Sequence, residues 1–134
     1  MRIVFDTNVL LSAFITRGLS SRVLDICVER HSLYISQFII DEVCEKLKDK
    51  FNVSATNIKK VTSYLSSYFV AETPEGKLPT ICRDSDDNNI LLLADTVQAD
   101  LIITGDRDLL VLKKHGSTLI ITPREFMEKF YVSH

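Results

Sequence analysis

Arg2-Ile3-Val4-Phe5-Asp6-Thr7-Asn8-Val9-Leu10 opens the chain with a short β-branched and aromatic run that stops abruptly at an aspartate. Such a run reads as a strand buried on both faces, and the apolar residues from Val9 to Ile15 read as the helix that follows it. Leu101-Ile102-Ile103-Thr104-Gly105-Asp106-Arg107-Asp108 repeats the pattern: a compact apolar run, then a threonine, a turn-making glycine and an acid. Two strands therefore end alike, each delivering a carboxylate at its carboxyl end.

Further apolar runs at residues 32–35 and 119–121 read as strands, with a brief extended piece at residues 69–72. Between them, helical periodicity carries Val23, Leu24, Cys27 and Val28 on one stripe and Ile39, Ile40, Val43 and Leu47 on the next. A third stripe runs through Ile58, Val61 and Leu65. Residues 86–98 leave little polar face, so that helix should lie across a sheet. Residues 71–83, with Pro74, Gly76 and Pro79, read as a connecting loop. Thr122-Pro123-Arg124-Glu125 is a capping box with proline at the first helical position. Strands alternating with helices imply an α/β fold, with a mainly parallel sheet covered by helices on both faces.

The 134 residues, 46% of them hydrophobic, suit one domain, residues 1–134, around one substantial core. No apolar run approaches the roughly 20 residues of a membrane span and no basic-then-apolar leader opens the chain, so a soluble cytoplasmic protein is expected. Cys27, Cys44 and Cys82 lack zinc spacing and read as buried free thiols. His31, His115 and His134 stand alone and read as structural or solvent-exposed.

Net charge is only −2, but its distribution is uneven. Residues 46–60 hold five lysines against Asp49 alone, whereas residues 84–108 hold seven aspartates against Arg107 alone. The first region suits phosphates and the second cations; solvated helix faces are the ordinary alternative for the lysines.

In open parallel sheets, ligands bind beyond the carboxyl ends of the strands, where Asp6 and Asp106 emerge. Asp87 heads a helix whose buried line runs through Ile90 and Ala94, which aims its side chain at the same edge. Glu42 lies one turn into the helix after the second strand, beside the apolar stripe. At about 5 Å and an effective dielectric near 20, each carboxylate pair repels by roughly 3 kcal/mol, so the group must protonate, separate or bind cations. Taken singly, Asp6, Asp86, Asp87 and Asp106 also fit helix caps, and Glu42 fits an ion pair with Lys46. Oxygen-only ligands favour Mg²⁺ or Mn²⁺ over zinc, and such ions suit in-line displacement at phosphorus.

On Phe5-Asp6-Thr7-Asn8-Val9-Leu10, Glu42, Asp87-Asn88-Asn89-Ile90-Leu91-Leu92-Leu93-Ala94 and Thr104-Gly105-Asp106-Arg107-Asp108-Leu109, the chain resembles the PIN-domain nucleases. That family includes the VapC-type toxins of toxin-antitoxin pairs. The resemblance implies a three-layer α/β/α fold with a five-stranded sheet of order 3-2-1-4-5. It makes Asp6, Glu42, Asp87 and Asp106 an acidic quartet, Asp108 an extra metal ligand, and Asn8 and Thr104 polar supports. It further implies Mg²⁺- or Mn²⁺-dependent cleavage of single-stranded RNA, with an antitoxin and a homodimer as expected partners. Lys46, Lys48, Lys50, Lys59, Lys60, Arg17 and Arg22 are the candidates for holding RNA phosphates.

Two other readings stand beside this one. A metal-dependent small-molecule phosphatase of the haloacid-dehalogenase type needs a second acid two residues after the first, where this chain has Asn8. A non-catalytic RNA- or partner-binding module would keep the acids as a relict metal pocket.

Overall fold

Ile3, Val4 and Phe5 are sealed from solvent because β1 (Arg2–Phe5) runs through the middle of the sheet, hydrogen-bonded on both sides. The computed structural model describes residues 1–131; His134 lies outside the described residues. The sheet comprises β1, β2 (Ser32–Ile35), β3 (Val70–Ala71), β4 (Leu101–Ile103), β5 (Lys114–His115) and β6 (Thr118–Ile121), in the order β3-β2-β1-β4-β6-β5. All neighbours pair in parallel except β5 with β6.

The first five strands in that order reproduce the expected 3-2-1-4-5 arrangement, and β5 is a correction to the expected count of five. It folds back on β6 through Gly116 at φ 59°, after Lys113 at φ 61°. Two residues, one of them charged, carry no alternation from which a strand can be read.

Around the sheet lie α1 (Thr7–Ile15), α2 (Leu19–Arg30), α3 (Gln37–Asp49), α4 (Ala55–Tyr68), α5 (Ser85–Val97), α6 (Arg107–Leu110) and α7 (Pro123–Lys129). Five of these seven starts carry a side-chain cap. Ser36 and Ser54 accept from the third amide of α3 and α4, and the expected capping box of Thr122 and Glu125 is formed at α7. Helix α5 buries Ile90, Leu91, Leu93, Ala94 and Val97, so most of its circumference faces apolar groups, as its sequence requires.

Among the thiols only Cys27 is buried; Cys44 and Cys82 are half-buried, which corrects the expectation of three buried cysteines. Burial pushes the Cys27 thiol up to about 12, so it behaves as a small hydrophobe.

Register explains why two distant acids meet. Phe5 and Ile103, the last residues of β1 and β4, are partners across the ladder. The Asp6 amide then donates to the Ile103 carbonyl at 3.0 Å, and the Thr104 amide donates to Ile121 at 2.9 Å. Asp6 and Thr104 thus leave the sheet side by side at its carboxyl edge.

Candidate metal centre

Thr104 is fully buried, and its hydroxyl donates to Asp6 Oδ2 at 2.7 Å while accepting from the Asp106 amide at 2.9 Å. One hydroxyl therefore fixes both the carboxylate after β1 and the turn after β4. Asp6 heads α1 without a capping hydrogen bond, so its side chain is committed to the edge of the sheet and not to the helix. Burial raises its pKa; the Thr104 hydroxyl pulls it partly back, and the nearby Asp106 charge raises it further.

The three aspartates crowded at the start of α5 divide three tasks. Asp84 is the cap, accepting from the Asp86 amide at 2.9 Å. Asp86 lies near Glu42. Asp87, only 5% exposed, is turned inward with Ile90 and Ala94, and carboxylate oxygens of Asp87, Asp106 and Asp108 all lie within 4.8 Å of one another.

Asp106 has a structural bond as well, since its Oδ1 accepts from the Asp108 amide at 2.8 Å and caps α6. Burial first, then the charge and hydrogen bonding of Asp106, then Asp6 and Asp84, push Asp87 up to about 7. Its Oδ2 is buried and has no hydrogen-bond partner among the described residues. A buried carboxylate oxygen left without a donor, on a side chain grouped with two further carboxylates, is what an oxygen-ligated divalent cation would complete.

Glu42 stands on the other flank. It accepts from the Thr7 hydroxyl at 2.7 Å, one residue from Asp6. Burial raises its pKa, Thr7 opposes that, Asp86 raises it further by hydrogen bonding and charge, and Lys46 lowers it. The closest carboxylate group thus contains Asp108, whereas Glu42 pairs with Asp86. Thr7, Asp86, Arg83 and Asn88 were not singled out from sequence as site members. Thr7 stands inside the opening motif without an assigned task, and Asp86 reads from sequence only as a helix cap, a task that falls to Asp84.

Arg83 Nη2 donates to Asp108 Oδ1 at 3.0 Å. The Asn88 side chain accepts from the Cys82 amide and donates to the Cys82 carbonyl, both at 2.9 Å.

Of the basic candidates, Lys46 and Lys50 line a groove of about 450 Å³ with Phe38, Glu42 and Asp86. They also line an adjoining hollow of about 280 Å³ with Asn8, Ile15 and Phe51. Asn8 is exposed at the rim, between that hollow and one bounded by Gly105 and Asp106. Lys48, Lys59, Lys60 and Arg17 are exposed and line none of these hollows. The Arg22 guanidinium sits 5.9 Å from the centre of the Tyr131 ring. Phe38 and Tyr68 are exposed apolar residues, whereas Phe130 is half-buried and stacked on Phe126. Among the described residues no helix is long and apolar enough to cross a membrane.

The order of strands, the converging acids and the position of each relative to the sheet define the class of protein, and sequence comparison agrees. The PIN-domain family model matches residues 2–108, and the chain belongs to that family. No curated protein sequence matches it significantly. Among solved structures, it is similar to a chain of VapBC2 from Rickettsia felis bound to a DNA fragment from their promoter. The two share 12% identity with a TM-score of 0.68, covering 91% of this chain and 98% of that one, which extends the shared fold beyond the matched residues.

Proposed function

We propose that this chain is a Mg²⁺- or Mn²⁺-dependent endoribonuclease that hydrolyses phosphodiester bonds of single-stranded RNA, serving as the toxin of a toxin-antitoxin pair. The observation that carries the reading is the unpartnered Asp87 Oδ2, enclosed with Asp106 and Asp108 at the edge where Asp6 emerges. Membership of the PIN-domain family supports the nuclease assignment. The VapBC2 likeness supports the choice of a toxin with an antitoxin partner.

A bound divalent ion supplies charge neutralisation at phosphorus and an activated water. Asp87, Asp106, Asp108 and Asp6 would hold it. Thr104 keeps Asp6 in one orientation, as an outer partner does for a metal-bound carboxylate. Glu42, with its proton affinity raised by burial and by Asp86, sits where it can hold a second ion or accept the water's proton. Water adds at phosphorus as the bond to the 3′-oxygen breaks, so the products carry 5′-phosphate and 3′-hydroxyl ends and the 2′-hydroxyl takes no part. Lys46 and Lys50, in the groove next to Glu42, bind flanking phosphates; Lys48, Lys59, Lys60 and Arg17 add a more distant positive field.

The test is cleavage of single-stranded oligonucleotides of several sequences by purified protein during Mn²⁺ or Mg²⁺ titration. Asp6→Asn should abolish activity and leave the circular dichroism spectrum intact. Equal cleavage by the variant would assign the activity to a contaminant, and hydrolysis of a chromogenic phosphomonoester without RNA cleavage would favour the phosphatase reading. Metal-dependent RNA binding without cleavage would favour the relict-pocket reading.

A further inference from the structure

Among the described residues, Arg83 is the cationic side chain paired with the three-aspartate cluster, and the chain on either side of it is held by local structure. Residues 82–84 follow a long stretch without regular structure, yet several contacts pin them. Asn88, only 5% exposed, clamps both the amide and the carbonyl of Cys82. The Cys82 thiol approaches the Asp108 carbonyl at 3.9 Å, and Asp84 caps α5. Between these anchors Arg83 reaches Asp108, while its side chain remains 88% exposed. An ion pair that open to water contributes little to stability, so folding does not account for the placement.

Only Nη2 of the guanidinium is engaged, by Oδ1 at 3.0 Å and more distantly by Oδ2 at 3.4 Å. The other guanidinium donors have no hydrogen-bond partner among the described residues, on a side chain that is largely open to water. A planar fork with unused N–H groups matches the non-bridging oxygens of a phosphodiester.

We propose that Arg83 grips the substrate phosphate at the acidic pocket, exchanging Asp108 for a phosphate oxygen, and that Asn88 is the positioning residue that holds it there. This assignment rests on the nuclease reading. It identifies the chemical group recognised beside the pocket: the phosphodiester itself, read as an anion and not through a base.

The test separates metal from phosphate. Mn²⁺ binding to the full chain is measured by calorimetry for wild type and Arg83→Gln. Binding of a fluorescent single-stranded RNA is measured by anisotropy across a salt series in the Asp6→Asn background, with and without the second substitution. Arg83→Gln should leave Mn²⁺ affinity equal or tighter, because Asp108 is released. It should weaken RNA binding about tenfold and flatten the salt slope by about 0.7.

Arg83→Lys should retain the slope and recover only part of the affinity, having the charge without the fork. Asn88→Ala, checked by thermal melting, should reproduce the RNA-binding defect with Arg83 intact. Unchanged RNA affinity and slope in Arg83→Gln would overturn the proposal, as would weaker Mn²⁺ binding with an unaltered slope. If wild type cuts no RNA, the nuclease reading fails, while the binding series still decides whether Arg83 holds phosphate.

Discussion

At the scale of the residue, Asp87 is the group least suited to the metal-free protein. Its folded pKa of about 7 lies above the ordinary value of 3.8, so folding favours its protonated form. Stability from this group is complete below pH 4 and is lost as pH rises through 7; the raised values of Asp6 and Glu42 act in the same direction. Thermal melting in chelator should therefore show Asp87→Asn gaining on wild type between pH 5 and pH 8. An equal difference at both values would mean that Asp87 does not titrate there.

Thr104→Val supplies a second residue-scale test. It preserves shape but removes the hydroxyl that joins Asp6 to the Asp106 turn, and should weaken Mn²⁺ binding by about 10- to 100-fold. Calorimetric affinity equal to wild type would show that Asp6 needs no such support. Asp6 and Asp106 were legible from sequence because each ends an apolar run. Selecting Asp87 over Asp86 required the helical line to Ile90 and Ala94. The Glu42–Asp86 pairing and the Arg83 contact were not legible, because they depend on how α3, α5 and the preceding loop approach one another in space.

At the scale of the element, α3 presents Lys46 to the groove, joined there by Lys50 at its C-cap, while Lys48 lies elsewhere. Replacing Lys46 and Lys50 with Gln should lower RNA affinity and reduce its salt slope by about 1.4, two contacts at roughly 0.7 each for a single strand. Lys48→Gln should change the slope far less; identical slopes in the two variants would mean a diffuse field and not a local track. At the other end of the chain, Thr122→Ala removes half of the capping box of α7 and should cost about 1 kcal/mol in denaturant unfolding. That box, the Ile39–Val43–Leu47 stripe and the enclosed α5 could all be read from local chemistry. Helix α4 begins at Ala55, three residues before the first member of its apolar stripe, because Ser54 caps a first turn with no buried side chain.

At the scale of the molecule, cation binding and folding are linked. A divalent ion at about 100 times its Kd should stabilise the native state by about 2.7 kcal/mol, or about 10 °C in Tm for a domain of this size. The same ion should shift Asp6→Asn much less; an equal shift would place the cation elsewhere. The strand order was legible through the resemblance and the α/β alternation, which leave few topologies for five strands. The hairpin that adds the sixth was not, because its turn depends on two left-handed residues and no apolar run.

That hairpin leaves the sheet bounded by two-residue stubs on both sides, β3 at one margin and β5 at the other. Neither offers enough unsatisfied backbone for a foreign strand to zip onto, so edge-to-edge growth into fibrils has no template here.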